Sequence, residues 1–384
     1  MECYFDNSAT TRCYESVKDI VVKTMTEDFG NPSAMHQKGV EAEQYIKKAT
    51  ASLAALLKVN EKEILYTSGG TESDNLALIG GAYANRRAGQ HILVSAIEHP
   101  AVMEPAMFLR EQGFDVEFIP VDSRGVVQPE VFAGMAREDT ILASVMYVNN
   151  ETGSVQPAAD LGRILHKKAP GALFHVDAVQ GFGKYRIHPG KQGIDLMSVS
   201  GHKLHGPKGV GFLYIRNGAK VIPQILGGGQ QKGMRSGTDN VPGIAGLGAA
   251  AEEIYSRLDA NTEHLLKLRR RMTDGLLAMP DVTINGMPQG EGAPHIISVT
   301  FQGIRSEVLL HALEEKEIYI SAGSACSSHK RKKSAVLTAM GLSAADIEST
   351  VRISFSEENT EEEVDFCLQT LGTLVPVLRR YSRR

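Results

Sequence analysis

The feature that most constrains this chain is an alternation along its first two thirds. Short apolar runs, "EILYTS" (63–68), "HILVSA" (91–96), "DVEFIP" (115–120), "ILASVMYV" (141–148), "ALFHVDA" (172–178), "IDLMSVS" (194–200) and "GVGFLYI" (209–215), read as buried strands. Between several of them lie helical patterns such as "ESDNLALIGGAYANRRAG" and "AADLGRILHKKA". Strand–helix alternation predicts an α/β architecture with a mostly parallel sheet. After "GGGQQKGMRSGT" the character changes. Two long helical stretches are followed by strands ("HIISVTF", "IYISAG", "VRISFS") mixed with helices, which predicts a smaller α+β unit. The expected division is a large domain over 13–257 and a small one formed by 1–12 and 258–384.

Composition narrows the function classes. The 384 residues carry a net charge of −4, and basic character is only local, as at Lys330 to Lys333, so no nucleic acid or anionic membrane is expected as a direct partner. None of the four cysteines (Cys3, Cys13, Cys326, Cys367) forms a CxxC pair, which gives no support to a zinc knuckle or dithiol motif, and no metal is expected. The first residues show no signal peptide, and no apolar run reaches the roughly 18 residues that span a bilayer. The expectation is a cytoplasmic protein with reduced thiols.

In a parallel α/β sheet, ligands bind beyond the carboxyl ends of the strands, so the residues just after each apolar run are informative. "ILYTSGGTESDNLAL" is a strand, a glycine turn and a helix start; Gly70 and Thr71 could receive a phosphate, with Thr71 and Asp74 in a capping arrangement. Taken alone, that motif reads first as an ordinary glycine turn with a Thr cap. "FHVDAVQ" ends a strand in Asp177, followed by Gln180. A strand-end carboxylate needs a partner, and a protonated pyridine nitrogen is one; a helix cap or a buried salt bridge is another. "SVSGHKLHGPKGVG" brings Lys203 to the same edge with Ser200 and His202; a lysine there forms a Schiff base with an aldehyde, or is merely solvated. His99 in "SAIEHPAV" could stack on a planar ring or move protons, and "YVNNETG" offers the amides of Asn149 and Asn150. Taken together, an anion-binding helix start, a strand-end Asp, a strand-end Lys and a nearby His describe a pyridoxal phosphate site.

Over nearly its whole length the chain resembles the cysteine desulfurases (NifS/IscS-like) of the class V aminotransferases, pyridoxal-phosphate-dependent enzymes of fold type I. The resemblance rests on "YFDNSATT", "GNPSAMH", "TSGGTESDNLAL", "EHPAV", "VNNETGSVQP", "HVDAVQ", "SGHKLHGPKGVG", "GGGQQKGMRSGT" and "SAGSAC", in that order. It implies that Lys203 carries the cofactor, that Asp177 pairs with the pyridine nitrogen, and that His99 stacks on the ring and handles protons. Gln180 and Asn150 would reach the ring oxygen and the substrate; Gly70, Thr71, Ser200 and His202 would hold the phosphate. Thr238 of "RSGT" would reach the phosphate in a neighbouring subunit, which implies a homodimer. Arg352 would bind the carboxylate of L-cysteine, and Asn7 would line the substrate pocket. Cys326, on a segment at about 321–333, matches the nucleophile that takes the substrate sulfur as a persulfide, releases alanine and passes sulfur to an acceptor protein.

The chain departs from many relatives in two places. Where they continue the arginine motif as R-x-S-x-G-R, this chain has "RISFSEENT", with Ser356 and Glu357 at the last two positions; and the segment after the nucleophile is unusually basic. A class V aminotransferase or selenocysteine lyase in which Cys326 is not the nucleophile is the alternative reading, and a sulfur-carrier subunit without catalysis is a third.

Overall fold

The structure, a computed structural model, describes residues 1–288, 290–322 and 333–382. Its thirteen strands are β1 (Cys3–Tyr4), β2 (Ile64–Thr67), β3 (His91–Ser95), β4 (Asp115–Ile119), β5 (Thr140–Ser144), β6 (Leu173–Asp177), β7 (Leu196–Ser200), β8 (Gly211–Ile215), β9 (Val282–Asn285), β10 (Ile296–Phe301), β11 (Ile318–Tyr319), β12 (Ser321–Ala322) and β13 (Thr350–Ser354). Seven of them form one sheet in the order β2-β8-β7-β6-β5-β3-β4. The five from β7 to β4 run parallel to their neighbours, whereas β8 is antiparallel to both β7 and β2. This is the mostly parallel α/β sheet expected from the alternation.

The reason lies in the runs themselves. β3, β5, β6 and β7 are buried at every position, as strands covered by helices on both faces must be. One cover is the helix Val241–Ser256, apolar almost all round, against which Glu15–Thr26 and Gln37–Leu57 pack. Its Gly248 permits the approach, since a Cβ there would lie 2.7 Å from the Cβ of Ala49.

A second sheet, β12-β13-β10-β9, is antiparallel and packs with the helices Leu258–Leu277 and Glu361–Ser382 over a separate core that includes Leu268, Phe301, Phe355 and Leu371. The start of the chain belongs to this core. β1 pairs in parallel with β11, and Phe5 is fully buried edge-on against Phe355 at 5.4 Å. The run "IYISAG" is two short strands, β11 and β12, rather than one. Among the described residues, no helix is long and apolar enough to cross a membrane.

Candidate active site

Four neighbouring strands, β3, β5, β6 and β7, end at the same edge, and the residues singled out in sequence stand there. At the edge beyond β2, the chain turns through Gly69 (φ +149°), a conformation that L side chains rarely adopt. A Cβ on Gly69 would meet the Oγ of Ser200 at 3.5 Å, and one on Gly70 would clash with Val179 at 2.9 Å. The turn is therefore a close-packed glycine cradle against the end of β7, opening a helical run that continues without a break from Gly70 to Asn85. Glu72 braces it by accepting from the Ser68 amide at 2.8 Å.

The expected Thr71–Asp74 cap does not form. The residue ahead of the helix is Gly69, which has no side chain to cap with; Thr71 is exposed, and Asp74 is buried. Asp74 stands instead on the side of the helix packed against the sheet, where its burial, with Asp177 and Glu98 nearby, raises its carboxyl well above the usual range.

His99 precedes the helix Pro100–Glu111, and its Nδ1 accepts from the Ala101 amide at 3.1 Å. That bond leaves Nε2 as the nitrogen that carries the proton of the neutral ring. Burial lowers the imidazole pKa, with Asp177 opposing and Lys203 assisting, so the ring is neutral near pH 7. Asp177 accepts from the Val179 amide at 2.9 Å; burial raises its carboxyl, and the nearby His99 and Lys203 lower it. Lys203 sits in the single turn Gly201–Lys203, and its Nζ donates to the carbonyls of Ser8 at 2.6 Å and Ala9 at 2.7 Å. His99, Asp177 and Lys203 thus form one interacting group assembled from β3, β6 and β7.

The N-terminal segment wraps this group. Gln180 Nε2 donates to the Ser8 carbonyl at 3.0 Å, and its Oε1 lies 3.4 Å from His295 Nε2. His202 Nδ1 meets Thr10 Oγ1 at 3.2 Å, and burial, with Lys203 and Lys208 nearby, lowers its pKa to about 4. On the other flank, Arg352 donates through one NH₂ to the Asn150 carbonyl at 2.9 Å and through the other to Asp6 Oδ1 at 2.7 Å, while its buried Nε has no partner. Asn7 spends its NH₂ on the carbonyls of Tyr4 and Ser354 and on Asn359, at 3.0–3.2 Å, which leaves its side-chain oxygen to face other groups.

Thr238 is exposed, on a segment clamped to the cradle helix by Arg235, whose Nε meets Glu72 at 2.9 Å. Cys326, His329 and the run from Lys330 to Lys332 lie outside the described residues. The flanks are described. Ser321 pairs with Arg352 across β12 and β13, and Ser334 Oγ donates to Glu151 Oε2 at 2.6 Å.

The chain matches the class-V aminotransferase family over residues 3–366. It is 45% identical over 379 residues to a cysteine desulfurase IscS of Methanosarcina thermophila, covering 99% of this chain and 93% of that one. The chain belongs to the cysteine desulfurases of the class-V aminotransferase family. A cysteine desulfurase IscS 1 of Archaeoglobus fulgidus is 41% identical, covering 99% of this chain and 98% of that one. A solved NifS-like protein superposes with a TM-score of 0.93 at 40% identity, over 98% of this chain and 100% of the other. A further structure, SspA in complex with cysteine, superposes with a TM-score of 0.82 at 33% identity, covering 94% and 100%.

Several features of this desulfurase leave no signal in its sequence. The Ser8 and Ala9 carbonyls that hold Lys203, and Asp6 beside Arg352, come from a segment distant in sequence, with no local signal. His175, two residues before Asp177 on the same face of β6, was visible in the period of two. Its partners on neighbouring strands were not. One cluster among the described residues has metal-ligand spacing, His91 with Asp115 and Glu117, but Arg137 bridges both carboxylates, at 2.6 and 3.3 Å.

Proposed function

We propose that this protein removes sulfur from L-cysteine with pyridoxal 5'-phosphate as cofactor, and that its own residues take the roles read from its sequence. The observation that carries the reading is the buried grouping of Asp177, His99 and Lys203 beside the glycine cradle. Asp177 is a buried carboxyl, raised by burial, that accepts a hydrogen bond from the Val179 amide; a pyridinium nitrogen would give it a direct, hydrogen-bonded counter-charge. The cradle at Gly69–Gly70, with Thr71, Ser200 and His202 around it, offers a helix start to a phosphate. The donor set therefore fits the cofactor.

When bound, the cofactor supplies an electron sink for the charge that develops on the substrate. The chain does the rest. Lys203 would hold the cofactor covalently, its amine steered by Ser8 and Ala9. Gln180 and Asn150 would bind the ring oxygen and the substrate. His99 would stack on the ring and move protons at Nε2, its other nitrogen being committed to Ala101. Arg352, held by Asp6 and Asn150, keeps guanidinium donors to grip the substrate carboxylate beside Asn7. The Cys326 thiolate would attack the substrate sulfur; an S–S bond forms as the C–S bond breaks, the electron pair stays on the substrate carbon, and a proton completes L-alanine. Support for this placement comes from the flanks of the Cys326 segment, Ser321 beside Arg352 and Ser334 on Glu151. A free thiol has a pKa of about 8.5, so activation by His329 and the following cations is part of the reading. Exposed Thr238 would complete the phosphate site of a second copy in a homodimer. The persulfide would pass to an acceptor protein in iron–sulfur cluster assembly, tRNA thiolation or thiamine synthesis.

The purified protein should take up pyridoxal 5'-phosphate with a visible absorption band that Lys203→Ala loses. Cys326→Ala should keep that band yet fail to release sulfide from L-cysteine in the presence of a thiol reductant. A variant without Cys326 that desulfurates normally would overturn the nucleophile assignment.

A further inference from the structure

One buried imidazole beside the site has no part in the proposed reaction. His295 stands directly before β10, and its carbonyl accepts from the Phe355 amide at 2.9 Å, so its backbone is fixed by the small sheet. The residue is 3% exposed. Its Nε2 comes to 3.4 Å from Oε1 of Gln180, on the turn that follows β6 of the large sheet, while Nδ1 has no hydrogen-bond partner. The Gln180 amide is held at its other end, where Nε2 donates to the Ser8 carbonyl at 3.0 Å. Lys203 Nζ donates to that same carbonyl at 2.6 Å. Three contacts therefore follow one another from His295 through Gln180 and Ser8 to Lys203.

The chemistry of the end groups fixes where each proton sits. A carbonyl oxygen only accepts, so the end of the Gln180 amide that faces Ser8 is its NH₂. The opposite end is then the amide oxygen, which also only accepts, and the imidazole nitrogen facing it must carry a hydrogen. His295 is thus the Nε2–H tautomer, with Nδ1 bare. Burial and the nearby Lys184, Arg269 and Arg352, with Glu357 opposing, keep a second proton off the ring, so the donor is neutral. At 3.4 Å the contact is longer than the usual N–H···O bond of about 2.9 Å, and it contributes direction more than stability.

Resting on the reading of Gln180 as a donor to the cofactor's ring oxygen, we propose that His295 is a positioning residue whose Nε2–H holds the Gln180 amide by its oxygen and so keeps the NH₂ end turned to the site. The last torsion of a glutamine side chain is broad, and an amide held at one end only swings about it. Held by a donor on its oxygen and an acceptor on its NH₂, the amide has one orientation. One of its N–H groups then goes to Ser8, and the second is the donor for the ring oxygen. The small sheet becomes part of the cofactor site in this way, since the residue before β10 supplies the donor and the turn after β6 receives it.

The test follows the visible band of the full-length protein, loaded with pyridoxal 5'-phosphate, as pH is varied. A hydrogen bond on the ring oxygen favours that oxygen's anion, so losing the donor raises the pH midpoint of the band. Gln180→Leu should raise it by about one unit, the worth of one hydrogen bond, and His295→Phe by about half a unit. His295→Gln, whose side-chain NH₂ takes the place of Nε2–H, should restore the wild-type midpoint. The double variant Gln180→Leu/His295→Phe should go no further than Gln180→Leu alone. A wild-type midpoint in His295→Phe, or full additivity in the double variant, overturns the proposal, since a merely structural histidine changes stability without moving the band. In the cofactor-free protein, nitrogen NMR of the imidazoles should show His295, assigned by the signal missing from His295→Gln, as the Nε2–H form. The Nδ1–H form would overturn the proposal with no reference to the cofactor. An unmoved midpoint in Gln180→Leu sinks the ring-oxygen reading of Gln180 instead, while the NMR result still decides whether His295 is the donor.

Discussion

The Arg352 guanidinium donates to Asp6 Oδ1 at 2.7 Å, joining residues 346 positions apart in sequence. A planar fork with one arm on Asp6 and another on the Asn150 carbonyl has little freedom to turn, and that fixes the direction in which its remaining donors point.

Arg352→Lys should therefore raise KM for L-cysteine more than it lowers kcat, because a lysine keeps the charge but not the fork. The expected loss in kcat/KM is roughly 10–100-fold, the worth of a charged hydrogen-bonded contact. Asp6→Asn should give a smaller change in the same direction. Steady-state alanine formation measures both, and an unchanged KM in Arg352→Lys would remove Arg352 from substrate binding.

Glu357, at the position where many relatives have arginine, is nine-tenths buried and accepts a hydrogen bond from the Tyr14 hydroxyl. It stands 3.3 Å from His205 Nε2 and supplies negative charge to the buried Lys184, whose Nζ has no hydrogen-bond partner. His205, Lys184 and Tyr14 hold its carboxyl far below the usual range despite its burial. Removing one partner of a buried pair leaves the other uncompensated, so Glu357→Gln should cost about 3 kcal/mol in denaturant unfolding at pH 7. The folded-state pKa lies below the unfolded value of about 4.3, so this contribution is present above that pH and fades as pH falls. The gap between wild type and Glu357→Gln should narrow below about pH 4; a constant gap would refute the pairing.

Burial raises the carboxyl of Glu151 to about 7, although the Ser334 hydroxyl and Arg352 favour its ionised form. A carboxyl raised in the folded state weakens the fold as pH climbs from the unfolded value of about 4.3 to the folded one. Glu151→Gln keeps an acceptor for Ser334 and removes the charge. Its stability relative to wild type should rise between pH 4.5 and 8, by up to roughly 3 kcal/mol at 1.36 kcal/mol per unit. Thermal melts across that range give the answer, and a flat difference would mean that Glu151 does not titrate there.

Gly69→Ala puts a Cβ on a residue at φ +149°, facing Ser200. The backbone cost is of order 1–3 kcal/mol. Cofactor affinity, followed by absorbance titration, should fall by about tenfold or more, whereas Gly209→Ala, at a positive φ with open space, should leave affinity unchanged. Equal effects at both positions would mean that only general stability was lost.

The large sheet was legible because its strands are buried on both faces and so read as continuous apolar runs, with the polar residues displaced to their ends. Asp177, His99 and Lys203 could be picked out for that reason alone: each follows such a run, and parallel neighbours carry all such ends to one edge. Asp74 was misread because a capping pair and a first helical turn with one buried carboxyl have the same spacing, and only the facing sheet decides between them. The contacts from Asp6, Ser8 and Ala9 were invisible, since a segment with no period of its own declares its position only through what it touches. Glu357 stood out as a departure from a motif, and its partners Lys184 and His205 were not deducible from it.

The N-terminal segment also bears on the order of events during synthesis. β1 pairs with β11, the Asn7 amide bonds to Ser354, and the Ser8 and Ala9 carbonyls hold Lys203. A chain leaving the ribosome presents these first residues long before their partners exist. The large sheet can collapse early, but the lysine stays unsteered until strands near the far end have emerged and drawn the beginning of the chain back. A ribosome-bound fragment truncated before β11 should thus hold a folded sheet in which Lys203 is not yet held by the Ser8 and Ala9 carbonyls.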